Sequence, residues 1–211
     1  MAQKENHMNR LPVAVLLAVL TASAVVRAQD PLSPQAHFDA GRYQAAIDGI
    51  AAQAGDPSPE LIFLAGRSHL HLSRPDDARA QFARLSTGVD PATAWSLVGE
   101  SAIALIDANP GLAIEKATQA VAVAPDQFHP NYQLGLAQSA AEQWEPAAAA
   151  FDKASSIDPA SAYAHYFAGL AYSRLRQIDR MATHFEYFLK LAPNAPEQPA
   201  VIALMRSVRG R

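Results

Sequence analysis

Prolines stand at positions 57, 91, 125, 159 and 193, each 34 residues from the next, and this interval restricts the fold more than any other feature of the 211-residue chain. A period of that length marks one supersecondary unit repeated along the chain. Each copy cannot bury its apolar face alone and does so against its neighbours. The repeat extends beyond proline. Residues 132–159 read YQLGLAQSAAEQWEPAAAAFDKASSIDP and residues 166–193 read YFAGLAYSRLRQIDRMATHFEYFLKLAP, so Tyr132 meets Tyr166, Gly135 meets Gly169, Phe151 meets Phe185 and Pro159 meets Pro193. One small-residue position recurs as Gly66, Gly99, Gly135 and Gly169, and a second as Ala46, Ala78, Ala113, Ala147 and Met181. A bulky position recurs as Ile50, Phe82, Ala117, Phe151 and Phe185.

Each unit reads as two antiparallel helices closed by the repeated proline, which cannot continue a helix. Glycine inside a helix costs about 1 kcal/mol against alanine. Gly135 and Gly169 are therefore expected where a second helix comes close, with Phe151 and Phe185 wedged alongside. Turns within the units are marked by Ser73-Arg74-Pro75, Asn109-Pro110-Gly111 and Glu145-Pro146. Near the end, Val201, Ile202, Leu204, Met205 and Val208 form an apolar face over Glu197 to Arg209. That face predicts a final helix covering the exposed end of a stack.

These positions together resemble the tetratricopeptide repeat family. The fourth unit carries the pattern as Leu134-Gly135, Ala147, Phe151, Ala154 and Pro159, and the fifth as Ala168-Gly169, Tyr172, Phe185 and Pro193. The third has Trp95, Gly99, Ala113, Ala120 and Pro125, with Ala117 where an aromatic is usual; the second has Ala65-Gly66, His69, Ala78 and Phe82; the first keeps Gly41, Tyr43 and Ala46. The resemblance implies an all-α protein, a right-handed α-solenoid of about five helix-turn-helix repeats with a C-terminal capping helix. The expected repeats are 34–57, 58–91, 92–125, 126–159 and 160–193, with the cap at 196–209 and the whole domain at 34–211.

The first 28 residues read as an export signal. Lys4 and Arg10 precede the sixteen uncharged residues from Leu11 to Val26, and Val26-Arg27-Ala28 offers a small-residue cleavage site. That stretch is shorter than the roughly 20 residues a spanning helix needs. Cleavage after Ala28 is expected, leaving a short leader at 29–33 and a periplasmic or secreted protein; an uncleaved N-terminus anchored in a membrane is the alternative. Removing Lys4, Arg10, Arg27 and Glu5 leaves 14 Lys and Arg against 19 Asp and Glu. The bases gather after Ser161, so the body is acidic and nucleic acid is an unsuitable partner.

The chain has no cysteine, which excludes disulfides, thiolate metal sites and a cysteine nucleophile. His69 and His71 are two apart and point to different faces of a helix. His37, His129, His165 and His184 have no second histidine or carboxylate at a spacing of three or four except in isolated cases, and no catalytic or phosphate-binding motif is present. No catalytic residue, metal ligand, cofactor or small-molecule substrate is expected, and the chain reads as a non-enzyme.

The resemblance places the first helix of each unit on a concave face that holds an extended peptide or a partner helix. The residues expected there are Phe63, Arg67, Tyr132, Leu136, Tyr163, Tyr166, Leu170 and Arg174. Tyrosine and arginine, the residue types most often found as binding anchors, make up five of the eight. Family members that grip a C-terminal carboxylate use Lys, Asn and Arg on this face, and the substitutions here disfavour that ligand. The expected function is a protein–protein interaction adaptor or assembly factor of the cell envelope, with an unidentified protein or peptide as partner. The alternative is a membrane-tethered solenoid scaffolding an envelope complex.

Overall fold

A computed structural model describes residues 32–86 and 93–209. The expected signal, its cleavage point, most of the leader and Pro91 lie outside the described residues. Eleven helices and no strand occur among those described: α1 (Pro34–Asp39), α2 (Tyr43–Ala51), α3 (Pro59–His71), α4 (Pro75–Arg84), α5 (Ala94–Ile106), α6 (Pro110–Val123), α7 (Phe128–Ala140), α8 (Trp144–Ile157), α9 (Ala162–Arg174), α10 (Ile178–Leu191) and α11 (Gln198–Arg209). Helices α1 to α10 pack as five successive pairs, and each pair packs on the next. None of the described helices is long and apolar enough to cross a membrane.

Local chemistry sets the helix starts. The side chains of Ser33, Thr93, Asn109 and Ser161 accept hydrogen bonds from backbone N–H groups of the first turns they precede. Pro34, Pro59, Pro75 and Pro110 open their helices, where the missing N–H costs nothing. Inside each pair the chain reverses through one left-handed residue: Gly41, Ser73, Ala108, Glu142 and Arg176. The N–H of the residue after each of these returns to a carbonyl in the last turn of the first helix, as from Gln143 to Gln138 at 2.9 Å. Glu145 and Pro146 therefore belong to the first turn of α8, and the turn itself is Glu142-Gln143.

The close approaches lie where the glycines mark them in three pairs. A Cβ on Gly66, Gly135 or Gly169 would stand 2.4, 2.6 or 2.6 Å from the ring of Phe82, Phe151 or Phe185, closer than any carbon tolerates. All three rings are fully buried. The third pair differs from expectation. Gly99 faces the Phe82 carbonyl of the preceding pair, and the eighth residue of α5, matching Gly66, Gly135 and Gly169 in their helices, is Ser101. With Ala117 replacing the ring opposite, the space is taken by a hydroxyl. Ser101 donates to the Ala113 carbonyl at 2.8 Å and accepts from Gln133 of the next pair at 3.1 Å.

The stack bends far enough for its ends to meet. Phe38 of α1 packs edge-on against Tyr163 of α9, with centroids 5.1 Å apart. A Cβ on Gly41 would lie 3.0 Å from Pro196 Cδ, and Tyr163 donates its hydroxyl to the Glu197 carboxylate at 3.0 Å. One apolar cluster runs from Phe38 through Phe63 and Tyr132 to Tyr163. A second joins Met181, Phe185 and Phe188 to Val201 and Met205 of α11, which closes the C-terminal end.

Candidate partner-binding site

The concave face is the side on which Phe63, Tyr132 and Tyr163 were expected to stand exposed. They do not. Phe63, Tyr132 and Tyr163 are 3%, 0% and 2% exposed. Because the first and fifth pairs approach each other, these rings meet side chains from across the curve instead of water. The Arg67 guanidinium lies among them, 4.5 Å from the centroid of Phe38, 4.9 Å from Tyr132 and 5.3 Å from Tyr163. A cation over aromatic faces is attracted by the ring quadrupole, so Arg67 fastens helices of four pairs together.

The remaining expected residues are divided. Leu136 packs against the central cluster, Leu170 against the C-terminal one, and Tyr166 against both. All three are partly buried. Arg174 is exposed, with its guanidinium 5.3 Å from the Trp144 ring centroid. The stripe read from the sequence is thus one buried knot around Arg67 and a separate, shallower patch toward α10.

Part of the concave side stays open. A cavity of about 360 Å³ lies between α1, α3 and the starts of α7 and α9. Phe63, Arg67 and Tyr163 reach it, joined by Phe128, His129 and three carboxylates, Asp39, Glu60 and Asp158. In the sequence these acids stand at scattered helix ends, and nothing in their spacing announces that they converge. Burial raises the pKa of Asp39, Asp158 raises it further, and both the Gln35 amide and Arg67 oppose the rise. Burial also pushes His129 from 6.5 down to about 4, with Glu60 pulling the other way.

No family model matches this chain, and no curated protein matches it in sequence. Solved structures do. A thermophilic TPR protein of Thermus thermophilus is 16% identical with a TM-score of 0.59, the match covering 82% of this chain and 95% of that one. The first TPR of Spaghetti (RPAP3), bound to the HSP90 peptide SRMEEVD, is 17% identical with a TM-score of 0.53, over 57% of this chain and 99% of that one. The APC/C hetero-tetramer Cut9-Hcn1 gives 16% and 0.56, over 82% of this chain and 34% of that one. The fold is a tetratricopeptide solenoid.

On the outer side of this tetratricopeptide solenoid, α8, α9 and α10 share a polar cluster absent from the sequence-based expectations. His184 Nε2 lies 3.0 Å from Asp152 Oδ1, and His184 Nδ1 lies 3.1 Å from His165 Nδ1. His165 Nε2 faces the Pro159 carbonyl at 3.3 Å, while Tyr172 donates to Asp152 and receives from Arg180 at 2.9 Å. His165 and His184 are 19 residues apart, a separation that no ligand-spacing rule reaches. The nearby hydroxyls of Ser155, Ser156 and Thr183 donate to backbone carbonyls of their own helices. The cluster therefore has the form of a clasp between helices. Among the described residues, no group of three or more His, Asp or Glu is placed to hold a metal ion.

His129 is expected to make the solenoid acid-sensitive. Its folded pKa lies below its ordinary value, so between pH 6.5 and about 4 the unfolded chain binds the extra proton. The stabilisation is complete above pH 6.5 and is lost as pH falls toward 4. Urea denaturation should show a loss of roughly 2 kcal/mol from this group by about pH 5. The loss should shrink in His129→Gln; an unchanged pH profile in that variant would remove His129 as the cause.

Proposed function

We propose that this chain is a protein-interaction module, an adaptor or assembly factor of the cell envelope and not an enzyme. Its partner enters as an extended segment at the mouth of the cavity between α1, α3, α7 and α9. One observation carries this reading: helices from four of the five pairs converge on a single cavity, and expected anchors Phe63, Arg67 and Tyr163 line it. The fold supports it, since the similar repeat domain of Spaghetti (RPAP3) is bound to a peptide. Helical grooves of this kind recognise segments through a few buried anchors.

Placement in the envelope rests on the charged, apolar and small-residue order of residues 1–28. The mature protein recovered from cells is expected to begin at Gln29 or within a residue or two of it. Membrane-bound protein with an intact Met1 would replace this with the tethered form. For the binding site, a photo-cross-linking residue is placed at Leu61, on the cavity, or at Tyr187, half exposed on α10. The partner should be captured from Leu61. Capture from Tyr187 alone would put it on the outer surface and end the cavity reading.

A further inference from the structure

We infer that the cavity receives a Lys or Arg side chain carried by a basic segment of the partner; this rests on the reading of the cavity as the partner site. The argument begins with charge. Asp39, Glu60 and Asp158 all line the cavity, and Arg67 is the only Lys or Arg among its described lining residues. Arg67 cannot satisfy all three, because its guanidinium is held over the faces of Phe38, Tyr132 and Tyr163. Asp158 lies close enough to Asp39 to disfavour its charge, a repulsion that an incoming cation relieves.

The walls fit the same occupant. Phe63, Phe128, His129 and Tyr163 surround the space with rings, and an ammonium or guanidinium gains from ring faces while its methylenes lie on apolar surface. About 360 Å³ is near the lower end of small-ligand pockets, which span roughly 300–1,000 Å³. It suits one long side chain and excludes a whole helix. Among the lining residues Gln35, Glu60 and Ala160 are exposed, and they stand at or just before the starts of α1, α3 and α9, so solvent reaches the cavity from those helix ends. A backbone can run along that opening with one residue inserted. An acidic peptide such as SRMEEVD, which the repeat domain of Spaghetti (RPAP3) holds, would meet three carboxylates here.

The test uses the full mature chain and three fluorescent peptides of one length, alike except for a central and two flanking residues that are Arg, Gln or Glu. At low salt the Arg peptide should bind, added salt should weaken it, and the Glu peptide should not compete. The double variant Glu60→Gln/Asp158→Asn should weaken Arg-peptide binding tenfold or more, while Asp179→Asn on the outer side should leave it unchanged. Equal binding to wild type and the double variant would overturn the inference, as would preference for the Glu peptide. Binding by free arginine methyl ester as tight as by the peptide would also overturn it, since the occupant would then be a small cation. Failure of all three peptides, with the natural partner still cross-linked from Leu61, would remove the charge inference and leave the cavity reading standing. Loss of the Leu61 cross-link removes both.

Discussion

Replacing Tyr132 by alanine should cost about 3–5 kcal/mol, the range for removing a fully buried aromatic side chain. Tyr132 has no exposed surface. Its ring stacks on Phe128 with centroids 5.3 Å apart, meets Phe151 at 5.8 Å and Phe167 at 6.0 Å, and carries Arg67 on its face. Truncation opens a cavity in the middle of the bend and releases the guanidinium that ties α3 to α1 and α9. In a chain of this size the melting temperature should fall by roughly 10 °C. Tyr132→Phe is the informative control. The hydroxyl is buried and bonds to no described residue, so its removal should leave stability unchanged or slightly higher. Urea denaturation followed by circular dichroism reads both variants. Wild-type stability in Tyr132→Ala would mean that the ring is exposed and the bend is more open than described.

Gly135→Leu should destabilise by about 1–3 kcal/mol, toward the upper end of the overpacking range. Even the first carbon of the new side chain would stand 2.6 Å from Phe151 Cε1. That ring has nowhere to go, because Phe167 stacks on it at 5.6 Å and Tyr132 packs edge-on. Helix α7 would have to move away from α8. A double-mutant cycle isolates the contact: Phe151→Leu lowers stability alone, but combined with Gly135→Ala it should recover part of the alanine's cost. Additive effects would show that the close approach is not the reason for glycine. Lys153→Arg is a suitable neutral comparison, since Lys153 is exposed and paired with the exposed Asp126.

Several details resist reading from the sequence, and each has its own physical cause. The left-handed turn residue is Gly only at position 41 and otherwise Ser73, Ala108, Glu142 or Arg176. Residue type therefore does not reveal it, because packing of the paired helices offsets the local backbone strain. Matching of small residues points to Gly99 as the close-approach position of the third pair, whereas Ser101 holds it. With no ring at Ala117, a hydroxyl that bonds across the pair fills the gap, and small-residue matching alone cannot separate two candidates two places apart. Phe38, Asp39 and Asp158 carry no sequence signal for the binding face at all. They reach it from the first pair and from the turn between α8 and α9.

What the sequence determined by itself is the local unit and its repetition. The 34-residue period, the helix-opening prolines and caps, and the Gly–Phe wedges of the second, fourth and fifth pairs depend on residues within one unit or its immediate neighbour, so one stretch of chain displays them. Only the tertiary structure decided how strongly the stack bends, and with it whether Phe63, Tyr132 and Tyr163 face solvent. Small rotations between neighbouring pairs accumulate over five units, and no single unit encodes their sum. That sum brings Phe38 to Tyr163 and Gly41 to Pro196. It turns an expected open stripe of aromatic anchors into a buried knot around Arg67 and leaves, beside it, one cavity rimmed by carboxylates.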